Sequence, residues 1–460
     1  MKAKKILAAL LLSASIFTVS CSEGPTLMNF IDENEGNDLS GIELKMGWHK
    51  GVSRPYYEID TPQYDAYIKR LSDAEDKFKC DIIIGEDLGD YNIDLDLMAG
   101  AYCLDIVISG LTGFVNNDNL YPIDFNGVID PLDPKYGGIR ALEPAMKNGV
   151  CYGVAPTIWP GFEPATGFIL AYNRTMFKEN NITDLHEYYE NEIWTYDTFE
   201  KEYVAKTDLT DSDGNVIDVF STDSTDYYLC LFASNDVKYV KVNSDGSLSA
   251  DPASQSLRNA LTWGQNLFKN YGYKLDNDVS THEQTEYRQQ QTICTVAYNS
   301  QIITGNIAYN DLAEFETGVM PFPCGPDATY GEWGQALDEV YGFGIPITAK
   351  SPEAATRIID YISEPFEEFG GSDGLYDYYS NHIFNTELDA EILIASYQYP
   401  KPSYIGRGDR QINTVREFLG DIAVNPSRSI TEGIASMQAV LTAIIENEMI
   451  PNYNTVYGEN

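Results

Sequence analysis

The chain has 460 residues, 43% of them hydrophobic, and a formal net charge of −40 from 30 basic and 70 acidic side chains. So acidic a composition argues against nucleic acid and anionic lipid as partners, since both need a basic surface, and it reads most simply as solubility outside the cell. The length exceeds one ordinary domain and the apolar content is enough for sizeable cores, so two lobes are expected.

The N-terminus has the build of an export signal over residues 1–20. Lys2, Lys4 and Lys5 precede an apolar run from Ile6 to Val19, which stops at Ser20-Cys21. A basic start, a short apolar core and small residues at the junction mark secretion. The run is too short for a comfortable membrane span. Thr18-Val19-Ser20-Cys21 resembles a bacterial lipobox, with Thr18 in place of the usual Leu. That resemblance implies a lipidated Cys21 as the mature N-terminus; the rival is a plain signal peptide with a chance Cys. Ser22 to Ser40 is polar, rich in Gly, Asn, Asp and Glu, so residues 21–41 read as an anchor and flexible tether. Loss of three Lys with the signal takes the charge from −40 to −43.

Ile42 to Met46 alternates in polarity and reads as a strand. Trp48, His49 and Lys50 follow it. Thr61-Pro62 then starts a helix whose apolar face is Tyr64, Tyr67, Ile68, Leu71, Ala74 and Phe78. Asp81 to Ile84 is a second strand, Leu95 to Ala101 a short helix, and Asp105 to Ile108 a third strand. This alternation implies a parallel sheet covered on both faces. Ligands of such sheets bind beyond the carboxyl ends of the strands. Trp48, His49, Lys50 and the stretch Ser109 to Phe114, with Thr112, are therefore expected at a cleft.

Gly149 to Phe177 organises the rest. Val150 to Val154 and Phe168 to Tyr172 are short apolar runs, separated by Pro156, Pro160, Gly161 and Pro164. Such punctuation between two buried strands suggests a chain passing from one lobe to another. Trp159 and Glu163 lie inside that passage. Beyond it, Thr195 is a helix N-cap and Leu257 to Tyr271 a helix. Asp208 to Asp218 has some acidic residues of a calcium loop, but lacks the first ligand and the twelfth-position Glu, so it reads as a solvated turn. Ser351 and Pro352 start a helix buried through Ala354, Ala355, Ile358, Ile359 and Ile362. A last helix starts at Ser429, with Glu432 completing a capping box and Ile430, Ile434, Met437, Leu441 and Ile445 as its stripe. Cys80, Cys103, Cys151, Cys230, Cys294 and Cys324 form no CxxC pair and no metal-type spacing with the four His. They read as small buried hydrophobes, although an exported chain allows disulfides.

Several segments, in order, resemble one family. "GVCYGVAP…FILAYNRTMFKENNI", "LMAGAYCLDIVISG", "NLYPID", "IWTYDTFEKEYVAKTDLTDSDGN", "EYRQQQTICTVAYNSQI", "VMPFPCGPD" and "GFGIPITAKSPEAATRIIDYI" are similar to segments of extracellular solute-binding proteins, the receptors of ABC importers, in particular the sugar-binding group. Cys103-Leu104 and Gln291 depart from the family's commoner residues. The resemblance runs from about Ile42 to Met449. It implies an α/β protein of two lobes, each a mainly parallel sheet flanked by helices, joined by three crossings. "VMPFPCGPD" would mark the return crossing. The lobes would be 42–160 with 325–364, and 161–324 with 365–460. The hinge would close on a ligand.

Candidate ligand residues follow from these placements. Trp48, Trp159, Tyr298 and Trp333 each offer a broad apolar face with a hydrogen-bond donor, suited to a sugar ring, and core packing is the rival for each. Glu163 can accept hydroxyl hydrogen bonds, or be a solvated linker charge. His49, Lys50, Ser109, Thr112, Phe114 and Asn299 are further contacts, with a surface position as the rival for His49, and the resemblance implies a late aromatic or Arg at the cleft from the loop "YPKPSYIGRGDR", Tyr404 and Arg407, with Arg410 an equal rival. The composite reading is a monomeric lipid-anchored receptor on the extracellular face. It would deliver a carbohydrate of oligosaccharide size to an ABC permease, with no cofactor and no reaction. The rivals are a peptide or polyol binder, a secreted glycoside hydrolase with paired carboxylates, and an adhesion or sensor lipoprotein. No GxSxG, HExxH or phosphate-cradling loop is present.

Overall fold

The computed structural model describes residues 38–48, 62–85, 102, 104–110, 119–137, 142–156, 165–271, 285–299, 302, 315–332, 334–384, 386–398, 400–402 and 410–456. Strand β1 (Glu43–Trp48) buries Leu44 and Met46 and turns Glu43 outward, as its alternation requires. Helix α1 (Pro62–Phe78) buries Ala66, Tyr67, Leu71, Ala74 and Phe78. Ile68, expected on that face, is 38% exposed. At about 100° per residue it stands roughly 90° from the centre of the line through 67, 71, 74 and 78. Strands β2 (Asp81–Ile84) and β3 (Ile106–Gly110) both pair parallel with β1. The expected helix over Leu95 to Ala101 lies outside the described residues. A small antiparallel hairpin, β4 (Met146–Lys147) and β5 (Val150–Cys151), completes this part of the first half.

Strand β6 (Ala165–Asn173) runs straight into helix α2 (Arg174–Glu179), which Asn173 caps by accepting the Met176 N–H at 2.9 Å. Helix α3 (Leu185–Glu190) follows. The acidic loop that has some features of a calcium site is a hairpin between β7 (Leu209–Thr210) and β8 (Val216–Ile217). There the Asp211 carboxylate accepts the N–H groups of Asp213 and Asn215 and the Asn215 amide, so the turn uses its own acid. Helix α4 (Ser224–Ser234), the pair β9 (Val240–Val242) and β10 (Leu248–Ala250), and helix α5 (Gln255–Tyr271) build up the second half.

β11 (Cys294–Tyr298), β12 (Thr317–Met320) and β13 (Gln335–Gly344) all pair antiparallel with β6. Parallel pairing is thus strongest around β1. The strands beside β6 return after long excursions of chain, so strand–helix alternation does not fix their direction. β13 also pairs antiparallel with β3, which joins both halves in one sheet of order β11-β6-β13-β3-β1-β2.

Two hydrophobic cores flank this sheet. One collects residues from Leu44 to Ala155 and from Phe343 to Phe366; the other collects Phe168 to Ala336 and Leu375 to Ile445. "VMPFPCGPD", expected to carry the return crossing, stays with the second core through Phe322 and Cys324. Cys324 is fixed there by backbone hydrogen bonds with Trp194 and Tyr196 at 3.1 and 3.0 Å. The passage between cores falls later, on β13, which has Ala336 in one core and Phe343 in the other. Gly342 makes that passage possible: a Cβ there would collide with the Val154 carbonyl oxygen.

Helix α6 (Pro352–Ile362) buries Ala354, Ala355, Ile358, Ile359 and Ile362, as its spacing predicts. Ser351 stands at its N-cap, but its side chain makes no capping bond. The buried Asp105 carboxylate instead fixes the chain entering the helix, accepting the N–H groups of Lys350 and Ser351 at 2.8 and 3.3 Å. Helix α7 (Glu387–Gln398), strand β14 (Pro400–Pro402) and helices α8 (Arg410–Val424) and α9 (Ile430–Ile444) return to the second core. Ser429 caps α9 through the Glu432 N–H, and Ile434, Leu441 and Ile445 are buried, with Ile430 and Met437 partly so. Helix α10 (Ile450–Val456) ends the described chain. Cys80, Cys151, Cys230, Cys294 and Cys324 are free and buried; Cys21 and Cys103 lie outside the described residues. Among the described residues, no helix is long and apolar enough to cross a membrane.

Candidate binding site where the sheet joins the cores

The candidate site follows from strand register. β3 ends with Ser109 and Gly110, which face Gly342 and Tyr341 on β13. Trp48 is the last residue of β1 and stands opposite Ile108. On the other side of β13, its residues Leu337, Glu339 and Val340 face Gly167, Thr166 and Ala165, the first residues of β6. Tyr298, the last residue of β11, faces Phe168. Four of the candidate residues, Trp48, Ser109, Tyr298 and Asn299, are therefore strand-end residues at two levels of the sheet: Trp48 and Ser109 stand level with Phe343 and Gly342 of β13, whereas Tyr298 and Asn299 lie beside Phe168 and Gly167, level with the Leu337 end of β13. At about 3.3 Å per residue the two levels are roughly 20 Å apart along the strands, so this band of strand ends brackets the stretch of β13 that passes between the cores.

Their individual settings differ. Tyr298 is half-buried, with its ring 4.5 Å from that of Phe168 and tilted by 42°. Phe168 belongs to the second core, so one side of the tyrosine is fixed. Asn299 is buried, and its Oδ1 accepts the Gly167 N–H at 2.9 Å. It ties the end of β11 to the start of β6, which commits that oxygen to the backbone. Ser109 is 7% exposed, between β1 and β13. His49, Lys50, Thr112, Phe114, Trp159, Glu163, Trp333, Tyr404 and Arg407 lie outside the described residues.

Sequence reasoning missed two positions on β13. Tyr341 is half-buried at the band, opposite Gly110. Asp338 sits where the β13–β6 register shifts between Leu337 and Glu339. Such bulges re-aim a strand and recur beside functional sites. The acidic pair inside an otherwise apolar run, "ALDEVYGFG", was the available signal. Among the described residues no group of three or more His, Cys, Asp and Glu is arranged to hold a metal ion.

Behind the band, β6 is anchored by Arg174. This residue is 2% exposed and meets Asp184, Glu316, Asp389, the Tyr172 hydroxyl and the His186 ring. Burial works against its charge, but hydrogen bonding to Asp389 and the neighbouring carboxylates hold it firmly protonated.

The profile of the family described as bacterial extracellular solute-binding protein matches residues 92–366, more than half of the chain. The chain belongs to that family. No curated protein sequence matches it. Solved structures extend the likeness over nearly the whole fold. The sugar-binding protein MalE of Xanthomonas citri is 13% identical, with a TM-score of 0.61 over 88% of this chain and 98% of that one. An extracellular solute-binding protein of Staphylococcus aureus in complex with maltose is 16% identical, with a TM-score of 0.57 over 88% and 98%. UgpB of Mycobacterium tuberculosis in complex with glycerophosphocholine is 14% identical, with a TM-score of 0.55 over 88% and 98%. At such identities the shared property is the fold. For this solute-binding protein it is the two-lobed α/β fold.

Proposed function

We propose that this solute-binding protein captures a carbohydrate, of oligosaccharide size, between its two lobes and hands it unchanged to an ABC permease. The observation that carries the reading is the family membership combined with the strand register. That register sets Trp48 and Ser109 at one end of the stretch of β13 that passes between the cores, and Tyr298 and Asn299 at the other. The lobes are taken to be the two cores, changing over between Ala155 and Phe168, within β13, and between Phe366 and Leu375. Tyr298 supplies a ring braced from behind, suited to the apolar face of a pyranose. In this reading Ser109 and Tyr341 supply hydroxyls from the other end of that passage. Closure around the ligand needs contacts from both lobes, since only differential binding shifts an equilibrium. Trp159 and Glu163, between the cores in sequence, are further contacts in this reading, and Cys21 carries the lipid that holds a monomer at the outer face of the membrane.

Relatives solved with maltose and with other sugars support the carbohydrate class. The relative solved with glycerophosphocholine keeps a polyol-type solute as the second reading. A thermal-shift screen of residues 22–460 against mono- and oligosaccharides, polyols and peptides tests the proposal. A ligand at 100 times its Kd stabilises by about 2.7 kcal/mol. An oligosaccharide hit recovered chemically unchanged supports sugar capture. A hit only among polyols or peptides moves the ligand class, and conversion of the sugar to product replaces capture with catalysis.

A further inference from the structure

The C-terminal helix touches both cores. From Ile430 the chain is helical through α9, through a π-wound turn at Ile445–Met449, and on through α10 to Val456. Ile445 is buried in the second core, and Ile450 and Tyr453 pack against that same core. Asn452, between them, faces the other way. It is 1% exposed, and both ends of its amide are used by the β4–β5 hairpin. Oδ1 accepts the Gly149 N–H at 2.9 Å, and Nδ2 donates to the Met146 carbonyl at 3.0 Å. Met146 and Cys151 of that hairpin belong to the first core.

The hairpin is shaped for this contact. Asn148 and Gly149, with φ of 53° and 77°, form its two-residue turn, a left-handed conformation that Asn and Gly adopt most readily. Thr455, one helical turn after Asn452, covers the turn so closely that a Cβ on Gly149 would stand 2.7 Å from its Oγ1. The helix is meanwhile loosened just before the contact. Pro451 has no N–H to give, and its ring crowds the carbonyl four residues back, at Asn447. That carbonyl lies within the π-wound turn. Stiff α9 on one core, a loosened turn, and a polar grip on the other core have the layout of a tether with a joint.

We propose that α10 is a non-covalent clasp between the lobes and that Asn452 limits how far they separate. The inference rests on the capture reading only for its effect on affinity. A clasp that narrows the range of lobe positions raises the fraction of molecules ready to bind, and apparent affinity scales with that fraction. Asn452→Ala removes both hydrogen bonds without touching the strand-end band.

The test uses residues 22–460 with spin labels on Asp76→Cys and Glu179→Cys, exposed positions on α1 and α2. Pulsed electron spin resonance then reads the distance between lobes. Asn452→Ala should broaden the distribution toward longer distances, whether or not any sugar binds. A distribution superimposable on that of the parent overturns the clasp. Where the screen has given a ligand, its Kd should rise about threefold or more; unchanged affinity with broadened distances overturns the link to capture. If Asn452→Ala does not fold, Asn452→Asp keeps the acceptor for Gly149 but turns a carboxylate oxygen on the Met146 carbonyl. It should then broaden the distribution, and an unchanged one overturns the proposal.

Discussion

Arg174 and Asp389 lie 215 residues apart and meet in a two-pronged ion pair, Nη1 to Oδ2 at 2.9 Å and Nη2 to Oδ1 at 3.1 Å. Both are buried, and the carboxylate is further held by Thr386 Oγ1 at 2.7 Å, the Val319 N–H at 2.9 Å and His186 Nε2 at 3.1 Å. The pair joins the end of β6 to α7 and β12, so it fixes the strand that leads out of the band.

Truncating one partner leaves the other charged and buried. Asp389→Ala should therefore destabilise the protein by about 3 kcal/mol or more, although Asp184 and Glu316 still face the guanidinium. Urea unfolding followed by tryptophan fluorescence measures it. A loss under about 1 kcal/mol would mean that the fork is not formed in solution.

The same residue sets an acid limit. Burial raises the Asp389 pKa, but hydrogen bonds from His186 and Arg174 outweigh it and hold the carboxyl below its ordinary value. A lowered folded pKa means that its stabilisation is complete above about pH 4, the unfolded value, and fades as pH falls below that through the folded value. Asp389→Asn should remove that slope. Its stability should change less than the parent's between neutral and strongly acidic pH, as read by denaturant midpoints.

Gly342 is fixed between two cores. Val154 and Phe343 exchange backbone hydrogen bonds at 3.0 and 2.7 Å, so the carbonyl that a new Cβ would strike cannot yield easily. Gly342→Ala should cost about 1–3 kcal/mol. It should also weaken ligand capture, because β13 passes from core to core at this point. A variant with parental stability would show that the passage is slack.

How far the sequence reveals these features depends on distance along the chain. The amphipathic faces of α1 and α6 are local: buried residues recur every three or four positions, and Tyr64, part-buried, and Ile68, exposed, depart from that pattern at the margins of the α1 stripe. The parallel β1–β2–β3 plan is nearly as local. The antiparallel neighbours of β6 are not, because β11, β12 and β13 reach it after long excursions. Trp48, Ser109, Tyr298 and Asn299 could be picked as strand-end residues, but only register sets them at the two ends of the β13 passage. Asp389 reads in sequence as an ordinary acid in the first turn of a helix, and Asn452 as a polar surface residue. Their partners lie hundreds of positions away and leave no periodic trace.

The buried thiols should be inert. Desolvation pushes Cys151 up to about 12 and Cys324 up to about 11. With Cys80, Cys230 and Cys294 also buried, none of the five should be modified by Ellman's reagent at pH 8 before unfolding. Peptide mapping of the labelled protein checks each site. Rapid reaction at Cys151 would show that the β4–β5 hairpin opens readily.

Calorimetric titration of residues 22–460 with the best oligosaccharide of the screen, for the parent and for Tyr298→Ala, tests the central claim most directly. The account predicts one saturable site per chain, no product in the cell afterwards, and affinity about tenfold weaker or more in the variant, on the order of 1.4 kcal/mol. Binding of equal strength in the variant would contradict the proposed site. No heat with any sugar, but saturable binding of a polyol or peptide, would contradict carbohydrate capture and leave the fold in place.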